Sequence, residues 1–143
     1  MDYHKSAEEL LAAMTRSEQC GRLIPTNISE FARGELAVLI FLMDGNNGAS
    51  AHEISRRFQI NTSRVAAVLN SLCGKGFAKR VPHPEDKRKI QVYFTEKGQR
   101  FAEHRRREIL ERMCVFLRML GEEDAREHIR IMKRISEIMT SAG

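Results

Sequence analysis

The feature that constrains this chain most is a change of period within one short stretch. From residue 50 to residue 76 apolar side chains recur at helical spacing, and from 77 to 95 they alternate. Ser50-Ala51-His52-Glu53 is a capping box: the Ser50 hydroxyl can accept from the third amide while Glu53 reaches back. It opens a short helix to about Phe58, with Ile54 and Phe58 one turn apart. Gln59 to Asn61 form a tight turn, and Asn61 or Thr62 caps a second helix with Val65, Val68, Leu69 and Leu72 on one face. Gly74 and Gly76 close that helix. Phe77 to Val81 reads as extended and Pro82 to Lys89 as a polar turn. Ile90, Val92 and Phe94 then alternate with Gln91, Tyr93 and Thr95, which completes a β-hairpin.

The flanks are helical. Ser6 to about Cys20 has Leu10, Leu11 and Met14 at helical spacing and ends at Gly21 and Pro25. Ser29 is placed to cap a second helix running to about Met43, apolar on nearly every side and therefore central. Asp44-Gly45-Asn46-Asn47-Gly48 breaks it. After the hairpin, Thr95 caps a long helix with Phe101, Ile109, Met113, Phe116, Leu117 and Leu120 apolar. Gly121 interrupts it. Glu122, Glu123 and Asp124 then favour the start of a last helix, with Ile131, Met132, Ile135, Ile138 and Met139 along it. The expected architecture is mainly α with a small β-hairpin wing: a winged helix-turn-helix over 29–98, preceded by a helix and linker over 1–28 and followed by helices over 99–143.

Several function classes are disfavoured. The longest apolar run, Leu36 to Met43, is far short of the ~20 residues a membrane span needs. No apolar segment follows the first basic residues, so no leader peptide is expected and the expected location is cytoplasmic. Cys20, Cys73 and Cys114 stand singly, which fits neither a disulfide framework nor a zinc site. The sequence has no GxSxG, phosphate-loop or HExxH pattern, and its five histidines are scattered. No catalytic residue, metal or cofactor is expected.

The distribution of charge is informative. Residues 50–100 carry 11 basic and 4 acidic side chains; residues 1–49 carry 4 and 7, and residues 101–143 carry 9 and 8. The basic excess therefore falls on the same window as the helix-turn-helix and hairpin, and a localised basic footprint attracts polyanions. The major groove of duplex DNA admits one helix, and a hairpin tip can carry a basic side chain to the neighbouring minor groove.

The hairpin, Asp86 to Gly98, reads D-K-R-K-I-Q-V-Y-F-T-E-K-G. It resembles the wing signature of the MarR family of transcription regulators, D-x-R followed by a strand and then Leu-Thr-x-x-Gly. Asp86, Arg88, Thr95 and Gly98 match, and Phe94 stands where Leu is usual. Ile60 to Val65, with the exit at Leu72 and Gly76-Phe77, also looks like that family's recognition helix, and the order of helices matches along nearly the whole chain. The resemblance implies that Arg88 enters the minor groove while Asp86 holds it by a charge-assisted hydrogen bond, and that Lys87, Lys89 and Arg80 contact phosphates. On the recognition helix the polar face presents Thr62, Ser63, Arg64, Ala66, Ala67 and Asn70. Arg64 suits guanine or phosphate. Thr62 and Ser63 stand at the helix start, where amides meet phosphate. Ala66 and Ala67 depart from the usual polar or basic residues there and leave thymine-methyl contact and shape readout. DNA-binding residues expected on this basis are Thr62, Ser63, Arg64, Ala67, Asn70, Arg80, Asp86, Lys87, Arg88 and Lys89.

The apolar stripes of the first and last two helices exceed what a small winged domain covers. A second copy is the natural partner, and a two-fold homodimer would address a pseudo-palindromic operator in double-stranded DNA. The family resemblance also implies regulation, commonly repression, relieved by a small aromatic or lipophilic effector lodged between the helices and the winged domain. Cys20 is the residue that an oxidant-sensing variant of that scheme would use. The alternative is a winged-helix interaction module that no longer reads DNA sequence, which Ala66 and Ala67 would suit and the basic window opposes.

Overall fold

A computed structural model describes residues 1–14 and 30–141. In order, the elements are α1 (Tyr3–Met14), α2 (Glu30–Phe41), β1 (Ala49–Ser50), α3 (Ala51–Phe58), α4 (Thr62–Gly74), β2 (Ala78–Pro82), β3 (Ile90–Phe94), α5 (Glu96–Leu120) and α6 (Glu122–Ser141). The chain divides into two compact units, Thr26–His104 and the combination of Met1–Pro25 with Arg105–Gly143. The architecture is that of a winged helix, largely helical with a small antiparallel sheet. Among the described residues no helix is long and apolar enough to cross a membrane.

In the winged unit, local caps set the helix starts. The Ser50 hydroxyl accepts from the Glu53 amide at 3.1 Å, which makes the first half of the capping box and starts α3 at Ala51. Asn61, rather than Thr62, caps α4: its side-chain oxygen accepts from the Arg64 amide at 2.8 Å. The turn between the helices closes on Gln59, which takes a left-handed conformation (φ 56°, ψ 43°). Ser55 secures this turn twice, its carbonyl accepting from the Ile60 amide and its hydroxyl donating to the Ile60 carbonyl at 2.6 Å. Ile54, Phe58, Val65, Val68, Leu69 and Leu72 are buried together with Val38, Leu39 and Leu42. α2 packs on α4, and the buried Glu35 carboxylate is ion-paired to Lys75 at the end of α4, at 3.0 Å. A buried carboxylate needs such a partner.

The sheet has three strands in the order β1-β3-β2, all antiparallel. β2 and β3 are the expected hairpin, registered from Ala78 opposite Phe94 to Pro82 opposite Ile90. β1 was not expected. It pairs Ala49 with Val92 and Ser50 with Gln91, and two residues are too few to carry a period. Asn47 and Gly48 seat it: the Asn47 side chain accepts from the Phe94 amide at 3.0 Å, and the Gly48 amide donates to the Val92 carbonyl at 2.8 Å. At Gly48 φ is +92° and a Cβ would lie 3.1 Å from the Tyr93 ring, so both backbone and space favour glycine.

The helical unit is held by apolar packing of α1, the later part of α5, and α6. Ala7, Leu10, Leu11, Met14, Leu110, Cys114, Leu117, Ala125, Ile129 and Met132 form one buried cluster. Two expectations need correction. α1 starts at Tyr3 rather than Ser6, because the Asp2 carboxylate accepts from the amides of His4 and Lys5 at 3.1 Å each. The regular helix α2 ends at Phe41, and the chain passes through a wide turn, Leu42–Asn46, with Asp44 and Gly45 out of helical geometry. Phe116, one of the apolar residues expected along α5, is 47% exposed, and Met119 near it is 82% exposed. The expected end of the first helix at Cys20, the break at Gly21 and Pro25, and the cap at Ser29 lie outside the described residues.

Candidate nucleic-acid interface

The wing is fixed at its root by a small network that explains the Thr-x-x-Gly pattern. The Thr95 amide donates to the Phe77 carbonyl at 3.0 Å, and the Thr95 hydroxyl donates to the Gly76 carbonyl at 2.6 Å. The same hydroxyl oxygen accepts from the Gly98 amide at 3.1 Å and so caps α5. This draws the Phe77 carbonyl onto Gly98 so closely that a Cβ there would stand 2.0 Å from the oxygen. Glycine is therefore required by contact. Phe77 also stacks on Phe101, with centroids 4.3 Å apart, and Lys97 donates to the Lys75 carbonyl at 3.0 Å. Both strand ends of the hairpin are thereby tied to the start of α5.

At the tip the chain turns through Asp86 to Lys89, where the Lys89 amide donates to the Asp86 carbonyl at 2.9 Å. The Asp86 carboxylate accepts from the Arg88 amide at 3.1 Å and lies 3.5 Å from the Arg88 guanidinium. Asp86 thus restrains Arg88 through both backbone and charge. The Arg88 side chain is nevertheless 94% exposed, held at its base and open to solvent along its length. Lys87 and Lys89 flank it and are exposed. Among the described residues no carboxylate lies within ion-pair distance of either.

Along α4, Thr62, Ser63, Ala66, Ala67 and Asn70 are exposed and lie opposite the buried Val65, Val68, Leu69 and Leu72. Arg64 differs from the expected open face, being half-buried. A helical wheel assigns a direction but cannot register what stands beside it. Sequence reasoning also missed a link between the helix and the wing: Arg80, on β2, donates to the Asn70 side-chain oxygen at 2.8 Å. No local pattern joins positions ten apart on a helix and a strand, so only the fold reveals that pair. Two further residues, Asn47 and Ser55, support the interface from behind through the bonds described above. Arg56, on the exposed side of α3, adds to the positive charge of the unit.

Among the described residues no group of three or more His, Cys, Asp or Glu side chains is placed to hold a metal ion. What the geometry offers is an exposed helix face with polar and small residues beside a basic hairpin tip.

Residues 31–89 match the MarR family. The transcriptional repressor YetL of Bacillus subtilis is 31% identical over 68 residues, which is 47% of this chain and 41% of that protein. The alignment thus spans about two fifths of the relative's length. Among solved structures, FabT of Streptococcus pneumoniae in complex with DNA superposes with a TM-score of 0.65 at 16% identity, covering 76% of each chain. The PcaV regulator of Streptomyces coelicolor in complex with its natural ligand superposes with a TM-score of 0.58 at 25% identity, covering 72% of each chain.

Proposed function

Because residues 31–89 match the MarR family, we propose that this chain is a transcription regulator, and not an enzyme, that binds duplex DNA sequence-specifically through its winged unit. The observation that carries the reading is the wing tip. Arg88 is almost fully exposed yet restrained by Asp86, an arrangement that holds a cation at its base and leaves its length open to an external anion. In this reading Arg88 enters the minor groove, Lys87, Lys89 and the remaining donors of Arg80 meet phosphates, and α4 lies in the major groove. Thr62 and Ser63 meet phosphate at the helix start, Arg64 reads a base or phosphate from its half-buried position, and Ala67 meets a thymine methyl group. Ala66 and Ala67 keep that part of the face short of polar readout, so shape carries a larger share of the specificity.

The active form is a homodimer on a pseudo-palindromic operator. Supporting this, the helical unit leaves Val115, Phe116 and Met119 of α5 and Ile131 and Ile138 of α6 exposed. Exposed apolar side chains in such number mark a surface that a second copy covers. Residues 1–28 and 99–143 serve that contact, and residues 29–98 serve DNA. The name of YetL favours repression, and the PcaV regulator in complex with its natural ligand favours control by a ligand; a small aromatic or lipophilic effector that releases the DNA is what the family resemblance implies. The cytoplasm is the proposed location, since an operator is reached there.

The test is selection from a random duplex library, with the mass of the complex measured in parallel. The expected result is a two-fold symmetric motif bound by two chains. A protein that enriches no motif, even after unfolding and refolding to strip a carried ligand, overturns the reading and leaves the interaction module as its replacement.

A further inference from the structure

The pairing of Asn70 with Arg80 has chemical content beyond fixing a side chain. A guanidinium has donors and no acceptor, so the Asn70 group facing it has to be the oxygen. Arg80 donates to Oδ1 at 2.8 Å, and the planar amide then turns its NH2 group outward. Both residues sit on well-anchored elements. Asn70 is on the exposed face of α4, and Arg80 is on β2 opposite Val92, which is fully buried. Among the described residues no carboxylate lies within ion-pair distance of Arg80, so nothing there draws the guanidinium off the amide. Ala66 and Ala67 offer neither donor nor acceptor, which leaves Asn70 as the next polar side chain along that face.

An asparagine that reads adenine needs both ends of its amide, donating to N7 and accepting from the N6 amino group. Here the accepting end is engaged. We propose, on the reading that α4 enters the major groove, that Asn70 and Arg80 act as a single donor-only reader that prefers a keto base, guanine or thymine, over adenine. Guanine presents O6 and N7 and thymine presents O4, all acceptors. Cytosine presents only an amino donor to the outward NH2, and adenine offers N7 as an acceptor but sets its N6 amino donor beside it, where the pair has no free acceptor to meet it. Arg80 is in this respect a specificity residue acting through Asn70.

The experiment is the library selection run side by side on the natural chain, Asn70→Ala and Arg80→Ala, followed by competition between duplexes differing at the affected position. Both side chains are exposed, and unchanged unfolding midpoints verify that the variants remain folded. The natural chain is expected to prefer a keto base over adenine at one position of each half-site by about tenfold, near the lower end of what one good base contact provides. Asn70→Ala flattens that position alone. Arg80→Ala frees the amide oxygen and raises adenine there to parity or better, with the rest of the motif retained. The proposal is overturned if the Asn70-dependent position is adenine in the natural chain, if Arg80→Ala leaves its base preference unchanged, or if Asn70→Ala alters no position. A natural chain that enriches no motif at all sinks the DNA reading itself, an outcome distinct from these three.

Discussion

The two units solve the problem of holding a shape in different ways. In the winged unit a few polar contacts fix the backbone at single points. Thr95 bonds to Phe77, Gly76 and Gly98, Asn47 bonds to Phe94, and Ser55 bonds to Ile60. In the helical unit the ten residues of one apolar cluster share the load, and its helices need only a compatible stripe. Charge follows the same division. Arg105, Arg126, Arg130, Lys133 and Arg134 of the helical unit each stand on an acid. In the winged unit Lys75, Arg88 and Arg100 also meet an acid, but Lys87, Lys89 and Lys79 have none among the described residues, and Arg80 has only a neutral amide. A region built on point contacts tolerates few residues at those points and acquires a recognisable signature. A region built on a distributed core accepts many combinations of similar volume and acquires none. Cations left without an acid, such as Lys87 and Lys89 at the hairpin tip, stay open to an external anion.

The sharpest way to break this comparison is at Gly98. A methyl group there would stand 2.0 Å from the Phe77 carbonyl oxygen, which is backbone and cannot swing aside. Gly98→Ala is expected to cost at least about 4 kcal/mol, a large share of a domain's ~5–15 kcal/mol. Hydrogen exchange is the measurement: protection across residues 77–98 should be lost while protection in the Leu110–Leu117 stretch persists. Retained protection at Thr95 and Gly98 would refute the lock. In the helical unit the corresponding change is graded. Leu117 is fully buried, and Leu117→Ala should lower stability by about 2–5 kcal/mol, read as a shift in the denaturant midpoint. A loss as complete as that expected of Gly98→Ala would erase the distinction between the two kinds of stability.

The same contrast accounts for what was legible in the sequence. Caps are local, so Ser50, Asn61 and Thr95 gave helix starts that the structure bears out, and alternation gave the hairpin. The start of α1 was misjudged because Asp2, a cap of the same kind, precedes any apolar period. β1 is too short to have a pattern and exists only because β3 is there to pair with it. The burial of Arg64 and the Asn70–Arg80 contact depend on which elements are neighbours, and that information is not in the spacing of residues. Gly98 was visible as a matching letter in a signature, but its reason, the Phe77 carbonyl, is a contact between positions twenty-one apart.

A third prediction separates function from stability. Arg88→Ala removes a side chain that is 94% exposed, so the unfolding midpoint should stay put while operator affinity falls about tenfold, within the roughly 1–3 kcal/mol of one such contact. The slope of log affinity against log salt should become shallower, because fewer counterions are released. Unchanged affinity would remove the wing from the interface and leave α4 to account for binding alone.

The smallest effect is expected at Arg130, and its smallness is what tests the division of charge. Its hydrogen bond to Glu127, together with its charge, holds the Glu127 carboxyl below the usual carboxylate range, and Glu127 in turn holds Arg130 above its own. Both groups are fully exposed, so solvent screens the pair strongly. Arg130→Ala should let the Glu127 carboxyl rise toward its ordinary value. A carboxyl depressed in the folded state stabilises the fold above its unfolded pKa and loses that contribution as the pH falls. The natural chain should therefore lose slightly more stability than the variant on acidification, and the two curves should meet at low pH. Operator affinity at neutral pH should be the same for both, because Arg130 is already neutralised within its own unit. If Arg130→Ala weakened DNA binding as much as Arg88→Ala, the helical unit's cations would be part of the interface, and the separation of a basic reading unit from a self-neutralised helical one would fail.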